Sequence, residues 1–208
     1  NSTGSSNTAG GTDSLKANTT GASNTALGYL SLRNNTTASD NTAVGHQALF
    51  TNATGANNVA IGKNALYYNT ASSNTAVGQL AMTNTTTGTN NTAVGQNSLT
   101  ANTTGGANIA IGVNSLDSNT TGADNTGIGF QTLCTLTNGN RNTAVGKNAL
   151  LNMSGSGDRN NTAIGHSAGT NVSTGFNLTL LGYSAEPSSG TATNEITLGD
   201  ANVTTLRM

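Results

Sequence analysis

Apolar residues in this chain follow neither a helical nor a simple alternating period; they return in a fixed frame. Each unit reads Asn-Thr-Ala-Val-Gly, two variable residues, Ala-Leu, and a polar stretch ending in Thr-Gly, as in 41–55. The glycine closing the first block falls at Gly11, Gly28, Gly45, Gly62, Gly78, Gly95, Gly112, Gly129, Gly146, Gly165, Gly182 and Gly199. The spacing is 17 residues throughout, except 16 from Gly62 to Gly78 and 19 from Gly146 to Gly165. An internal repeat this regular sets the whole architecture. The unit is too short for paired helices, and glycine and β-branched residues punctuate it every few positions. It predicts a parallel β-solenoid (β-roll) of about twelve coils, all-β. Each coil would carry one strand at Asn-Thr-Ala-Val, a second around Ala-Leu, and a turn at the Thr-Gly end. Stacking at about 4.8 Å per coil gives a rod on the order of 50 Å long.

Substitutions between units suggest which side chains face inward. Position two is Thr in most units but Val59 and Ile109 in two of them. Thr and Val are nearly isosteric, so this position is expected inside, its hydroxyl bonded to backbone. Position four holds Val44, Ile61, Val77, Val94, Ile111, Ile128, Val145 and Ile164, read as the core. Position three then points outward by the period of a strand, yet it holds Ala26, Ala43, Ala60, Ala76, Ala93, Ala110, Ala144 and Ala163. An outward alanine column is expected to be a close chain-to-chain contact running along the fibre axis. The Asn column that opens each unit is expected to stack as an amide ladder. Glycines at the turn end, such as Gly21, Gly55 and Gly105, suit a positive φ.

Composition narrows the class. Aromatics make up 3% and charged residues 7% of 208 residues, with no Trp and a net charge of −1. A thick core is excluded, and near-neutrality argues against nucleic acid or an anionic membrane as an electrostatic partner. No run approaches the ~18 apolar residues of a membrane-spanning helix, so no membrane insertion is expected in this segment. The chain begins at Asn1 rather than Met, as a fragment or processed product would. The lone Cys134 allows no intrachain disulfide.

Candidate chemistry is sparse, and the chain is not expected to be an enzyme: no catalytic residue, cofactor or metal site is assigned. His46 and His166 occupy the same coil position seven coils apart, too far to share a metal within one chain. Acidic residues are scattered singly, without the paired carboxylates of a glycosidase. The Asn-x-Thr triplets read as turn chemistry. The insertion in the 19-residue unit makes Asp158 and Arg159 a candidate recognition loop, since loops on rigid scaffolds tend to carry function.

The "NVAIG" of Asn58–Gly62 and "NIAIG" of Asn108–Gly112 resemble rungs in the heads of YadA-type trimeric adhesins, which are parallel β-rolls. The longer unit is similar to repeats of bacteriophage tail fibres. "NEITLGDANVTTLRM" (Asn194–Met208) resembles the segment preceding an intramolecular chaperone of the endosialidase type, which trimerises such fibres. The resemblance implies a homotrimeric, extracellular fibre segment, shaft or head, on a virion tail or bacterial cell surface. Its partner would be a host-cell surface glycan or protein receptor. Ice-binding or glycan-binding solenoids are the alternative. Bulky residues at Leu178, Leu180 and Leu181, followed by Pro187, divide the chain into a repeat region, 1–182, and a terminal coil with cap or junction, 183–208.

Overall fold

The computed structural model describes residues 3–205 and contains no helix among them. Twelve parallel strands, one per coil, form a single sheet. They are β1 (Thr8–Gly10), β2 (Thr25–Leu27), β3 (Thr42–Val44), β4 (Val59–Ile61), β5 (Thr75–Val77), β6 (Thr92–Val94), β7 (Ile109–Ile111) and β8 (Thr126–Ile128), then β10 (Thr143–Val145), β12 (Thr162–Ile164), β13 (Phe176–Leu181) and β14 (Thr193–Leu198). A separate pair joins β9 (Gly139–Asn140) to β11 (Gly157–Asp158). The result is a parallel β-solenoid of about eleven turns. Register never slips: Thr75, Ala76 and Val77 face Thr92, Ala93 and Val94. It also survives both irregular units, where Val59 faces Thr75 and Thr143 faces Thr162. Deletion and insertion are therefore absorbed in the loops.

The second strand expected around Ala-Leu does not form. In its place runs a series of turns in which Gln47 (φ 56) and Leu49 (φ 51) are left-handed, a conformation repeated coil after coil. A left-handed leucine costs about 1–2 kcal/mol. Burying its side chain contributes about 1.5–3 kcal/mol, and Leu32, Leu49, Leu66, Met82, Leu99 and Leu116 are fully buried. This leucine row is the apolar spine of the coil.

The faces of the strand are the reverse of the expectation. Ala26, Ala43, Ala60, Ala76, Ala93, Ala110, Ala144 and Ala163 are fully buried inside the coil of a single chain, where no partner can reach them. Position four lies outside: Ile61, Ile111, Ile128 and Ile164 are exposed, and Val44, Val77, Val94 and Val145 are half-exposed. The Thr of position two is outward too. The physical reason is the narrow interior: with leucine pointing in from the opposite wall, one methyl is all the strand can add. Exceptions confirm the constraint. Gly127 replaces alanine where Thr132 replaces the small residue opposite, and a Cβ there would meet the Ser115 and Thr132 hydroxyls at 2.7 and 2.9 Å. Leu180 takes the alanine position only because the adjoining coil has Gly169 in its leucine position, whose Cβ would lie 2.8 Å from Leu180 Cδ1.

The amide ladder is present. The Asn108 backbone N–H donates to Asn91 Oδ1 (3.0 Å), while its side-chain amide donates to Asn91 Oδ1 (3.2 Å) and the Gly122 carbonyl (2.8 Å). A second buried ladder was not foreseen. Asn35 donates to Asn18 Oδ1 at 2.8 Å, and Asn119 to Asn102 Oδ1 at 3.2 Å. It ends at Asn119, whose own Oδ1 is left without a partner, because Leu136, Met153 and Val172 continue the column as buried apolar residues. The positive φ expected at the turn glycines belongs instead to those closing the strand, such as Gly95 (φ 131). At Gly55 the demand is steric, since a Cβ would stand 2.0 Å from the Ala71 carbonyl oxygen.

Candidate functional site: the outward face of the sheet

Strand geometry places every second side chain on the same face. Here in-register stacking turns positions two and four into continuous rows. One row reads Thr42, Val59, Thr75, Thr92, Ile109, Thr126; the other Val44, Ile61, Val77, Val94, Ile111, Ile128. β-Branched residues suit such a pleated, half-covered surface. Ile61 is 40% exposed and Ile164 44%, so the aliphatic row is open to solvent along the rod. No charged residue interrupts either row between Thr25 and Ile164. At about 4.8 Å per strand and ~3.3 Å per residue, the face is roughly 50 by 10 Å. Contiguous apolar patches beyond a few hundred Å² mark interaction sites. Chemically it can exclude water against a matching surface.

The other residues singled out in the sequence lie elsewhere. Asp158 and Arg159 are tied down rather than free. Asp158 accepts from Arg141 Nη1 at 2.5 Å and from Asn140 Nδ2 at 3.1 Å. Arg159 Nη1 donates to the Thr174 carbonyl at 3.0 Å. These bonds brace the bulge that accommodates the extra residues, with β9 and β11 at its base. His46 and His166 each stack on a tyrosine of the neighbouring coil, Tyr29 at 5.3 Å and Tyr183 at 5.5 Å. Among the described residues no group of three or more His, Cys, Asp or Glu is placed to hold a metal ion, and no helix is long and apolar enough to cross a membrane. Cys134 is half-buried. Burial pushes its thiol pKa up, and the nearby Asp117 carboxylate adds to the shift. Asp117 is itself raised by burial.

The outward face was missed in the sequence because alanine signalled size without direction. The signal that finds it is the pattern of exchange. Position four varies freely among Leu, Val and Ile, as an open row can. Position three departs from Ala and Gly at Leu180, with space opened by Gly169. Comparison with protein-family models, curated proteins and solved structures finds no match.

Proposed function

We propose that this chain is a non-enzymatic structural fibre segment, shaft or head, whose copies assemble as a homotrimer through the outward sheet face. Its place would be extracellular, on a phage tail fibre or bacterial surface adhesin, mediating attachment to a host or surface. The observation that carries this reading is the uninterrupted row of half-exposed and exposed Val and Ile side chains along the sheet. A coil with an interior only one leucine and one alanine wide buries little apolar surface per residue, so association through a second apolar layer would stabilise it. Small-angle scattering tests the arrangement. A rod with the length of one solenoid and the cross-section of three is expected; a single-chain cross-section at all concentrations would remove the proposal.

One observation favours a second reading, an ice-binding face. The Thr row is outward, not inward, and repeats with the strand spacing. Against it, Val59 and Ile109 interrupt the row, and its neighbour is aliphatic throughout. An ice-recrystallisation assay separates the two: inhibition by a monomeric protein favours ice.

A further inference from the structure

Four of the seven Phe and Tyr residues of the chain, Tyr29, Phe50, Tyr67 and Tyr68, fall in three consecutive coils. Phe50 and Tyr67 occupy equivalent positions in neighbouring coils and stack at 5.0 Å with their planes 12° apart. Tyr68 meets Tyr67 edge-on, centroids 4.6 Å apart and planes at 76°. Arg33 extends the same column, its guanidinium 6.0 Å from the centre of the Phe50 ring. The cluster belongs to the turn segment, outside the strands that form the sheet face. Tyr68 is 51% exposed.

Each aromatic pair stabilises the column by about 0.5–1.5 kcal/mol, but the coil does not depend on it. The coil positions concerned are Thr83 and Thr100 in the next two units, which stack in the same register without any ring. Neither the Tyr67 nor the Tyr68 hydroxyl bonds within the chain among the described residues. A Tyr ring normally finds a partner for its polar end when it is buried for packing. Here Tyr68 is exposed and Tyr67 half-buried, the two rings stand nearly perpendicular, and their hydroxyls are left for an outside partner.

We infer that Phe50, Tyr67 and Tyr68 form a carbohydrate subsite, taking a pyranose ring of an oligosaccharide in the corner between the two tyrosines. The C–H-bearing face of a pyranose matches one ring face, and its rim hydroxyls match polar side chains beside the corner. Thr51 and the exposed Asn84 flank Tyr68 in its column. A protein partner fits poorly. Rings of 150–250 Å² each, half covered, offer about 300 Å² in total, against the ~800 Å² per partner of a specific protein interface. The inference gives a ligand class to the attachment role proposed above and rests on that reading for its biological use. The subsite itself needs only one chain.

Saturation-transfer NMR on the intact protein tests it, using chitotetraose, maltotetraose and cellotetraose as neutral probes and 3′-sialyllactose as an acidic one. Transfer to at least one of them is expected at concentrations up to about 10 mM, a range that covers millimolar binding. Tyr68→Ala, at an exposed position, should weaken that binding roughly tenfold or more with an unchanged melting curve. Tyr67→Phe should preserve it in large part. Tyr183→Ala, at an exposed tyrosine outside the cluster, should leave it unchanged. Binding that favours 3′-sialyllactose and falls with Arg33→Gln would identify an acidic sugar; neutral binding independent of Arg33 would identify a neutral one. No transfer to any of the four, or transfer unaffected by Tyr68→Ala, overturns the subsite. The oligomeric state is read separately, so a failed fibre reading and a failed subsite are distinguishable.

Discussion

Replacing Gly95 by alanine puts a methyl group where the next coil's backbone already stands. Gly95 has φ 131, and a Cβ there would lie 2.7 Å from both the carbonyl carbon and oxygen of Gly112. Two costs follow. A side chain at that backbone angle costs on the order of 1–3 kcal/mol, and overpacking a close contact about 1–3 kcal/mol more. Relief requires the coils to part, at the expense of the bond from the Gly112 N–H to the Val94 carbonyl (2.7 Å). The loss should therefore be about 2–6 kcal/mol. Gly106→Ala is the control. A Cβ there would meet the Thr89 carbonyl oxygen at 3.1 Å with no positive φ, and Ala22, Ala56 and Ala123 occupy the same column. Its effect should stay within about 0.5 kcal/mol. Urea unfolding followed by circular dichroism measures both. Because coils are coupled to their neighbours, Gly95→Ala should lower the midpoint or split the transition. Equal midpoints for the two variants would refute the close-approach reasoning.

Further expectations follow from the interior and from its half-buried acid. Ala93 lies fully inside the coil, so Ala93→Leu should lower stability by about 1–3 kcal/mol at every protein concentration, whereas Gln96→Leu, at an exposed position, should not; melting curves over a dilution series decide. Asn108→Ala removes the acceptor of the Asn125 N–H (3.0 Å) and the donor to the Gly122 carbonyl (2.8 Å), stranding buried groups at about 1–3 kcal/mol each, measurable as local loss of hydrogen-exchange protection. Burial raises the Asp117 pKa above its unfolded value, so the charged form is penalised in the fold: the penalty is full above the folded pKa and vanishes below the unfolded one. Asp117→Asn should therefore stabilise at pH 7, lose its advantage as pH falls through that window, and speed alkylation of Cys134, whose thiolate Asp117 disfavours; an unchanged alkylation rate would contradict the coupling.

Period, parallel stacking and the first Asn ladder were legible because each is a matter of spacing. Asn91 and Asn108 are 17 residues apart and bond directly. Direction was not legible. Ala93 and Val94 alternate in either orientation, and the choice depends on the wall opposite, which Leu99 supplies. That wall could not be read as such because Leu99 (φ 53) is left-handed, a state no propensity scale assigns to leucine. The second ladder stayed hidden for a related reason: its asparagines sit in a segment whose polar composition also suits an exposed turn. The insertion at 154–160 was legible from spacing alone, but its bracing bonds to Arg141 and Thr174 come from the coils on either side, which no local pattern shows. Of the terminal segment, residues 206–208 lie outside the described residues.

Sedimentation equilibrium of the wild-type protein beside Val94→Lys/Ile111→Lys bears most directly on assembly through the sheet face. Both side chains are outward, so the charges should leave the coil folded, and circular dichroism checks this. Three times the 20.6 kDa chain mass is expected for the wild type, and a single chain mass for the variant. A wild-type monomer, or a trimer that survives both lysines, would contradict assembly through this face.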